Sequence, residues 1–201
     1  METARELFFE QGYAQTGIAQ ILKVCGVNSG SLYHFFPSKE DLLAAVLEKY
    51  KTLLQSRVLA PAFERISDPI ERVFAILDGY RRLLQATDFA LGCPIGNLAL
   101  ETCNSHPQIR KLVVENFNAW TGAVSQLITD ASGRLPADVD PAALARPVLA
   151  TMEGAVMLAR TYRSFDPFDQ AVHQLRDYFD RLMQDGSDWS GMRRARSGVS
   201  T

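Results

Sequence analysis

Apolar residues recur at helical spacing along almost the whole chain, and breakers cut that pattern into separate lengths. Ala4, Leu7 and Phe8 mark one face of a helix over 2–11, and Gly12 is placed to end it. Ile18, Ile21 and Leu22 predict a short helix over 17–23, ending in the turn Val24-Cys25-Gly26-Val27. A second short piece spans 29–35 and stops at Pro37. Ser38-Lys39-Glu40-Asp41 has the form of a capping box. It opens a long helix to about 59, with Leu42, Leu43, Val46, Leu47, Tyr50, Leu53 and Leu54 at i, i+3, i+4 spacing.

The same punctuation continues downstream. Asp68-Pro69-Ile70-Glu71 supplies an N-cap, a first-turn proline and an acid, and predicts a helix to about 86. Gly92-Cys93-Pro94 breaks the chain before a short helix from Pro94 to Cys103, and Pro107 starts a long one to about 131. Gly133 and Pro136 mark a loop. Asp140-Pro141 and Asp166-Pro167 open the last two helices, to about 164 and 184. No stretch sustains β alternation and no repeat is visible, so the pattern predicts an all-α protein of about nine helices. The domains expected are a helix-turn-helix unit at 1–45, a helical bundle at 46–185 and a polar tail at 186–201 bearing Arg193, Arg194 and Arg196.

Composition adds limits. The 201 residues are 47% hydrophobic and 22% charged, with 13 Gly and 9 Pro, which excludes collagen-like and disordered classes. No apolar run reaches the roughly 18 residues of a membrane span. METARELFFEQG has no basic segment ahead of a greasy one, so neither a secretion leader nor a membrane partner is expected. Cys25, Cys93 and Cys103 form no CxxC pair, which argues against disulfides and structural zinc and for a reducing cytoplasm. P-loop, HExxH and GxSxG motifs are missing, and Cys103 with His106 lacks an orienting third group. No catalytic set, metal site or cofactor is therefore predicted. An all-helical enzyme would need a cluster that is not visible. A net charge of -2 gives DNA binding no support, so that reading has to come from local geometry.

That geometry lies between Thr16 and Phe36. A supporting helix, a glycine turn and a presented helix make a helix-turn-helix. Asn28 can cap the presented helix; Ser29, Gly30 and Ser31 are small enough for close approach; Tyr33 and His34 follow with hydrogen-bonding tips. Exposed N–H groups at a helix start suit phosphate, and Lys39 adds a cation.

GVNSGSLYHFFPSKEDLLAAVLEKY closely resembles the DNA-binding signature of the tetracycline-repressor family of bacterial regulators, and ARELFFEQGYAQTGIAQILKVCGV is similar to its preceding segment. The segments 92–101 and 153–160 look like one branch of that family. The resemblance implies a homodimer that binds double-stranded DNA at a palindromic operator and releases it when a small-molecule effector binds. It places Thr16 and Gly17 near phosphate, Ser29, Gly30 and Ser31 at base edges, and Tyr33, His34 and Lys39 on the backbone. It makes Leu7, Phe8, Ile21, Val27, Leu32 and Phe36 a small core; Cys25 is expected inside as well. Two departures stand out: Ser29 where a basic residue is common, and Phe35 where a histidine is common. Against the family pattern the chain begins inside the first helix, without the basic arm, and the true start is expected upstream. Residues 1–50 carry four Lys/Arg and six Asp/Glu, so a shallow salt slope and weak operator affinity are expected. That balance keeps open a helical interaction protein with weak or lost DNA binding.

The expected effector cavity is lined by Phe89, Cys93, Asn97, Glu101, Phe117, Trp120, Thr121, Met152, Met157 and Tyr162. Asn97 and Glu101 lie one turn apart, and a buried Glu101 would need Arg160, Arg110 or a ligand. A helix start lowers a thiol pKa, which would make Cys93 a sensor of electrophiles; the competing and favoured reading is a small, packed apolar residue. The candidate dimer surface is Leu144, Val148, Leu149, Met152, Ala155, Val156 and Ala159 of one helix with Phe168, Val172, Leu175, Phe179, Leu182 and Met183 of the next, stripes broad enough to serve an intrachain core as well.

Overall fold

The described residues form nine α-helices, a short 3-10 turn over Ser132–Arg134 and no strand. The computed structural model describes the backbone of residues 1–64 and 66–197, with the side chains of those residues other than 62 and 186–197. The helices are α1 (Glu2–Gln11), α2 (Ile18–Cys25), α3 (Ser29–Phe35), α4 (Lys39–Leu53, prolonged to Phe63), α5 (Pro69–Ala86), α6 (Pro94–Thr102), α7 (Pro107–Asp130), α8 (Pro141–Tyr162) and α9 (Asp166–Ser197).

The starts follow the caps. Asn28 accepts from Ser31 N, Ser38 from Asp41 N, Asp68 from Ile70 N and Glu71 N, and Asp140 from Ala142 N. Prolines occupy the first turns of α5, α6, α7 and α8, where no N–H partner is lost.

Two elements depart from expectation. The rod of α4 widens into a π segment over Leu54–Leu59 before a last turn at Ala60–Phe63. The final helix continues past 184 to Ser197, because no proline follows Gln184 and each of its two glycines costs a helix only about 1 kcal/mol. The side chains of Arg193, Arg194 and Arg196 lie outside the described residues.

The core has two parts. The head's part gathers Ala4, Leu7, Phe8, Ile21, Leu32, Leu42, Leu43, Val46 and Leu47, and continues into Leu98, Ile109 and Val113 of α6 and α7. Val27, expected inside, is 43% exposed, and Cys25 is exposed as well. The left-handed cap at Gly26 swings that turn outward, away from the core. The bundle's part is built on α5, α7, α8 and α9.

The candidate dimer stripes are buried in this intrachain core. Leu144, Val148, Met152, Ala155, Val156 and Ala159 pack there with Phe168, Leu175 and Phe179, while Leu149, Val172, Leu182 and Met183 pack at its edge. What α8 turns outward includes Ala143, Pro147, Ala150, Met157 and Leu158, with Arg146 and Tyr162. By length and composition α8 is apolar enough to cross a membrane; in this fold its apolar side faces α7 and α9.

Candidate DNA-binding head and effector cavity

Helix α3 is almost wholly presented. Leu32 alone is buried, while Ser29, Gly30, Ser31, Tyr33, His34 and Phe35 are exposed. The Asn28 side chain holds the first turn through Ser31 N at 2.8 Å. Phe35, at 72% exposure, stands edge-on to the His34 ring at 5.0 Å.

One of the expected DNA-binding residues has other work. Thr16 is fully buried, and its hydroxyl donates to Gly12 O at 2.7 Å and Leu7 O at 3.2 Å. Its side chain therefore shapes the α1–α2 turn from inside the head. Gly17 stays exposed at the start of α2. The Lys39 ammonium lies 4.2 Å over the ring of Tyr13, and burial lowers its pKa while Glu101 opposes that shift.

Glu101 is not in the cavity. Its carboxylate accepts from Tyr13 N at 2.8 Å and Ala14 N at 2.7 Å, joining α6 to the α1–α2 turn. Gly12, at φ +87°, leaves room for it, since a Cβ there would sit 3.1 Å from Oε1. Asn97, one turn earlier, instead accepts from Arg160 Nη1 at 3.0 Å. The two residues share a helix face, but α6 is short and lies between head and bundle, so its two ends meet different neighbours. Tyr13, missed in the sequence, sits between Phe8 and His106 at this junction, and burial raises its hydroxyl pKa. Its signal was the apolar step after Gly12.

A cavity of about 400 Å³ lies where head and bundle meet. Cys93, Phe117, Trp120 and Met152 line it as expected, joined by Tyr50, Tyr80, Leu149 and Glu153, and by Glu2, Arg5 and Phe9 of α1. The α1 wall had no sequence signal, because it depends on how the head docks. Phe89, Asn97 and Met157 line a separate, open groove of about 730 Å³, which shares Cys93, Phe117 and Glu153 with the cavity. Thr121 and Tyr162 line neither: the Thr121 hydroxyl donates to Phe117 O, and Tyr162 is 69% exposed.

On the bundle side of the cavity wall the tyrosines, the thiol and the carboxyl favour their neutral forms, whereas Glu2 and Arg5 of α1, paired with each other, favour their charged ones. Burial pushes Tyr50 up to about 12 and Tyr80 well above its ordinary value. The expected lowering at Cys93 is overturned. Its sulfur does cap α6, accepting from Gly96 N at 3.5 Å, but the residue is 5% exposed. Burial, with the Glu153 carboxyl beside it, drives the thiol pKa up and outweighs the helix start. Burial raises Glu153 too. The carboxyl lies so close to α6 that a Cβ at Gly96 would collide with it. Glu153 Oε1, Trp120 Nε1 and Arg160 Nε are buried without hydrogen-bond partners. Among the described residues no His/Cys/Asp/Glu group is placed to hold a metal ion.

Comparison with known proteins agrees with this division. Residues 1–46 match the model of bacterial regulatory proteins of the tetR family. Residues 69–174 match that of the LmrA/YxaF-like transcriptional regulator C-terminal domain. The chain is 32% identical to the transcriptional regulator AcuR of Cereibacter sphaeroides, over 85% of this chain and 78% of that one. It is 28% identical to the HTH-type transcriptional regulator YxaF of Bacillus subtilis, over 87% and 90%. A solved TetR transcriptional regulator from Chloroflexus aurantiacus superposes with a TM-score of 0.77 at 32% identity, covering 90% of this chain and 91% of that one.

Proposed function

Because this chain belongs to the TetR family of bacterial transcriptional regulators, we propose that it is a cytoplasmic, homodimeric repressor that grips a palindromic operator and lets go when a small molecule fills the α1-walled cavity. The observation that carries this reading is the cavity wall itself: Glu2, Arg5 and Phe9 belong to the head, and Tyr80, Trp120 and Met152 to the bundle. A molecule held there touches both. Helix α6 supplies a second connection, with Cys93, Pro94 and Ile95 at the cavity and Glu101 on the α1–α2 turn.

The head reads DNA with Ser29, Gly30 and Ser31 at base edges and Tyr33, His34 and Lys39 toward phosphate, α3 lying in the major groove. Two heads must match successive turns of the duplex, so a small change in their spacing is enough to break binding. The ligand shifts that balance only by as much as it prefers one spacing to the other. The outward stripe of α8, Ala143, Pro147, Ala150 and Leu158, is a self-complementary face for a four-helix contact about a two-fold axis.

The test is fluorescence anisotropy with a labelled duplex from the DNA flanking the protein's own gene. Ser31→Asp with Tyr33→Ala should weaken binding by about tenfold or more while helical content stays unchanged. Equal binding by variant and wild type would remove the head from DNA recognition. Met152→Trp, which fills the cavity, should alter operator affinity without touching the head; an unchanged affinity would detach the cavity from DNA binding.

A further inference from the structure

The open groove outside the cavity holds a cation with no counter-ion among the described residues. Arg160 donates from Nη1 to Asn97 Oδ1 and from Nη2 to Ala90 O, both at 3.0 Å. Its Nε is buried with no acceptor, and no carboxylate among the described residues forms a salt bridge with it. Arg5, Arg81, Arg82, Arg134, Arg163 and Arg176 each face an Asp or Glu, whereas Arg72, like Arg160, is held by a backbone carbonyl. A half-buried guanidinium satisfied only by neutral acceptors keeps its charge available, and its planar fork suits a carboxylate.

The surroundings add an apolar body to that head group. Phe89, Leu100, Met157 and Val156 line the groove, and Phe117 and Cys93 stand between it and the cavity. The one acid in the described lining is Glu153, which burial pushes toward the uncharged form against a hydrogen bond from Cys93. The first turn of α6, at Gly96 and Asn97, borders the groove, and a helix start also favours negative charge.

We propose that this groove binds an organic monocarboxylate with an apolar tail, the carboxylate paired with Arg160 and the tail laid along Phe89, Leu100 and Met157 toward Phe117. The site is distinct from the α1-walled cavity and does not depend on how the head reads DNA.

The experiment uses the full chain and decanoate, with methyl decanoate as the uncharged isostere and decyltrimethylammonium as the cation, each followed by calorimetric titration and by the thermal midpoint. Decanoate should bind about tenfold or more tightly than the ester and the cation, and it should raise the midpoint. Arg160→Met should bring decanoate down to the level of the ester and leave the ester unchanged. Arg160→Lys, which keeps the charge and stem but loses the fork, should fall between. Equal binding of acid and ester by wild type overturns the proposal, whatever the variants do. So does decanoate binding that survives Arg160→Met in a chain of unchanged helical content. A variant that loses its dimer while wild type ignores decanoate would also overturn it, assigning Arg160 to the partner copy. Operator release is read separately: decanoate that binds through Arg160 yet leaves the operator bound upholds this site and counts only against its coupling to DNA.

Discussion

The head and the bundle use the same materials to opposite ends. In the head, local sequence decides almost everything: Asn28 and Ser38 cap, Leu32 anchors, and the rest of α3 is turned out. Its purpose lies on its surface. In the bundle, purpose lies inside, and the inside depends on which residues of distant helices meet. Tyr50, Tyr80 and Glu153 are more than 25 residues apart in sequence and face one cavity. A surface for DNA can be written as a local motif; a cavity for a small molecule cannot.

The sharpest way to break the comparison is to ask whether the two regions fold separately. Leu43 is fully buried in a core that includes Leu98, Ile109 and Val113. Leu43→Ala should cost about 2–5 kcal/mol. Urea unfolding followed by circular dichroism should still show one transition at a lower midpoint. Two resolved transitions would mean that head and bundle are independent.

Glycines give the next contrast. A Cβ at Gly96 collides with the Glu153 carboxyl, whereas one at Gly30 meets only Asn28 Oδ1 at 3.4 Å. Gly96→Ala should therefore destabilise by about 1–3 kcal/mol. Gly30→Ala should leave thermal stability unchanged or slightly raised, and yet weaken operator binding. If Gly30→Ala melts early, the small residues of α3 serve the fold and not a groove.

What could be read from the sequence follows the same line. Helix starts were legible because proline and capping side chains act within four residues; Pro69, Pro94, Pro107 and Pro141 mark theirs directly. The end of α9 was not, since Asp185 and the glycine after it resemble a tail but do not forbid a helix. At the candidate site, Cys93, Phe117, Trp120 and Met152 were found because cavities are built from large apolar residues. Glu101 was misplaced because a shared helix face says nothing about which partner that face meets. The reactive reading of Cys93 rested on its place at a helix start, a local cue that burial outweighs.

A smaller effect separates the caps. Asn28→Ala should cost about 1 kcal/mol, the usual value of an N-cap. Asn28 and the α3 it caps are solvent-exposed, so fraying there should appear mainly in operator affinity and only faintly in the melting curve. Ser38→Ala removes an equivalent bond at α4, whose following residues are core, and the loss should appear in the melt. Equal behaviour of the two variants in both assays would erase the distinction between presented and supporting helices.

The smallest expected effect is a slope, and it belongs to the bundle. Burial raises Glu153 above its ordinary value of 4.5, with the Cys93 thiol as its hydrogen-bonding neighbour. The unfolded chain then gives up this proton at lower pH than the folded one. Between the two values the native state binds more protons, so stability falls as pH rises through the folded pKa and levels off above it. Asp68 and Asp169 run the other way, their folded values lowered by hydrogen bonds and by Arg134 and Arg81, so their contribution is lost on acidification. Glu153→Gln isolates the buried carboxyl. The variant should gain on wild type as pH climbs above the ordinary carboxylate range, and the difference should shrink again in acid. Parallel curves for the two proteins, from chemical denaturation at a series of pH values, would mean that Glu153 ionises as freely as an exposed side chain and that the cavity wall is wetter than its lining indicates.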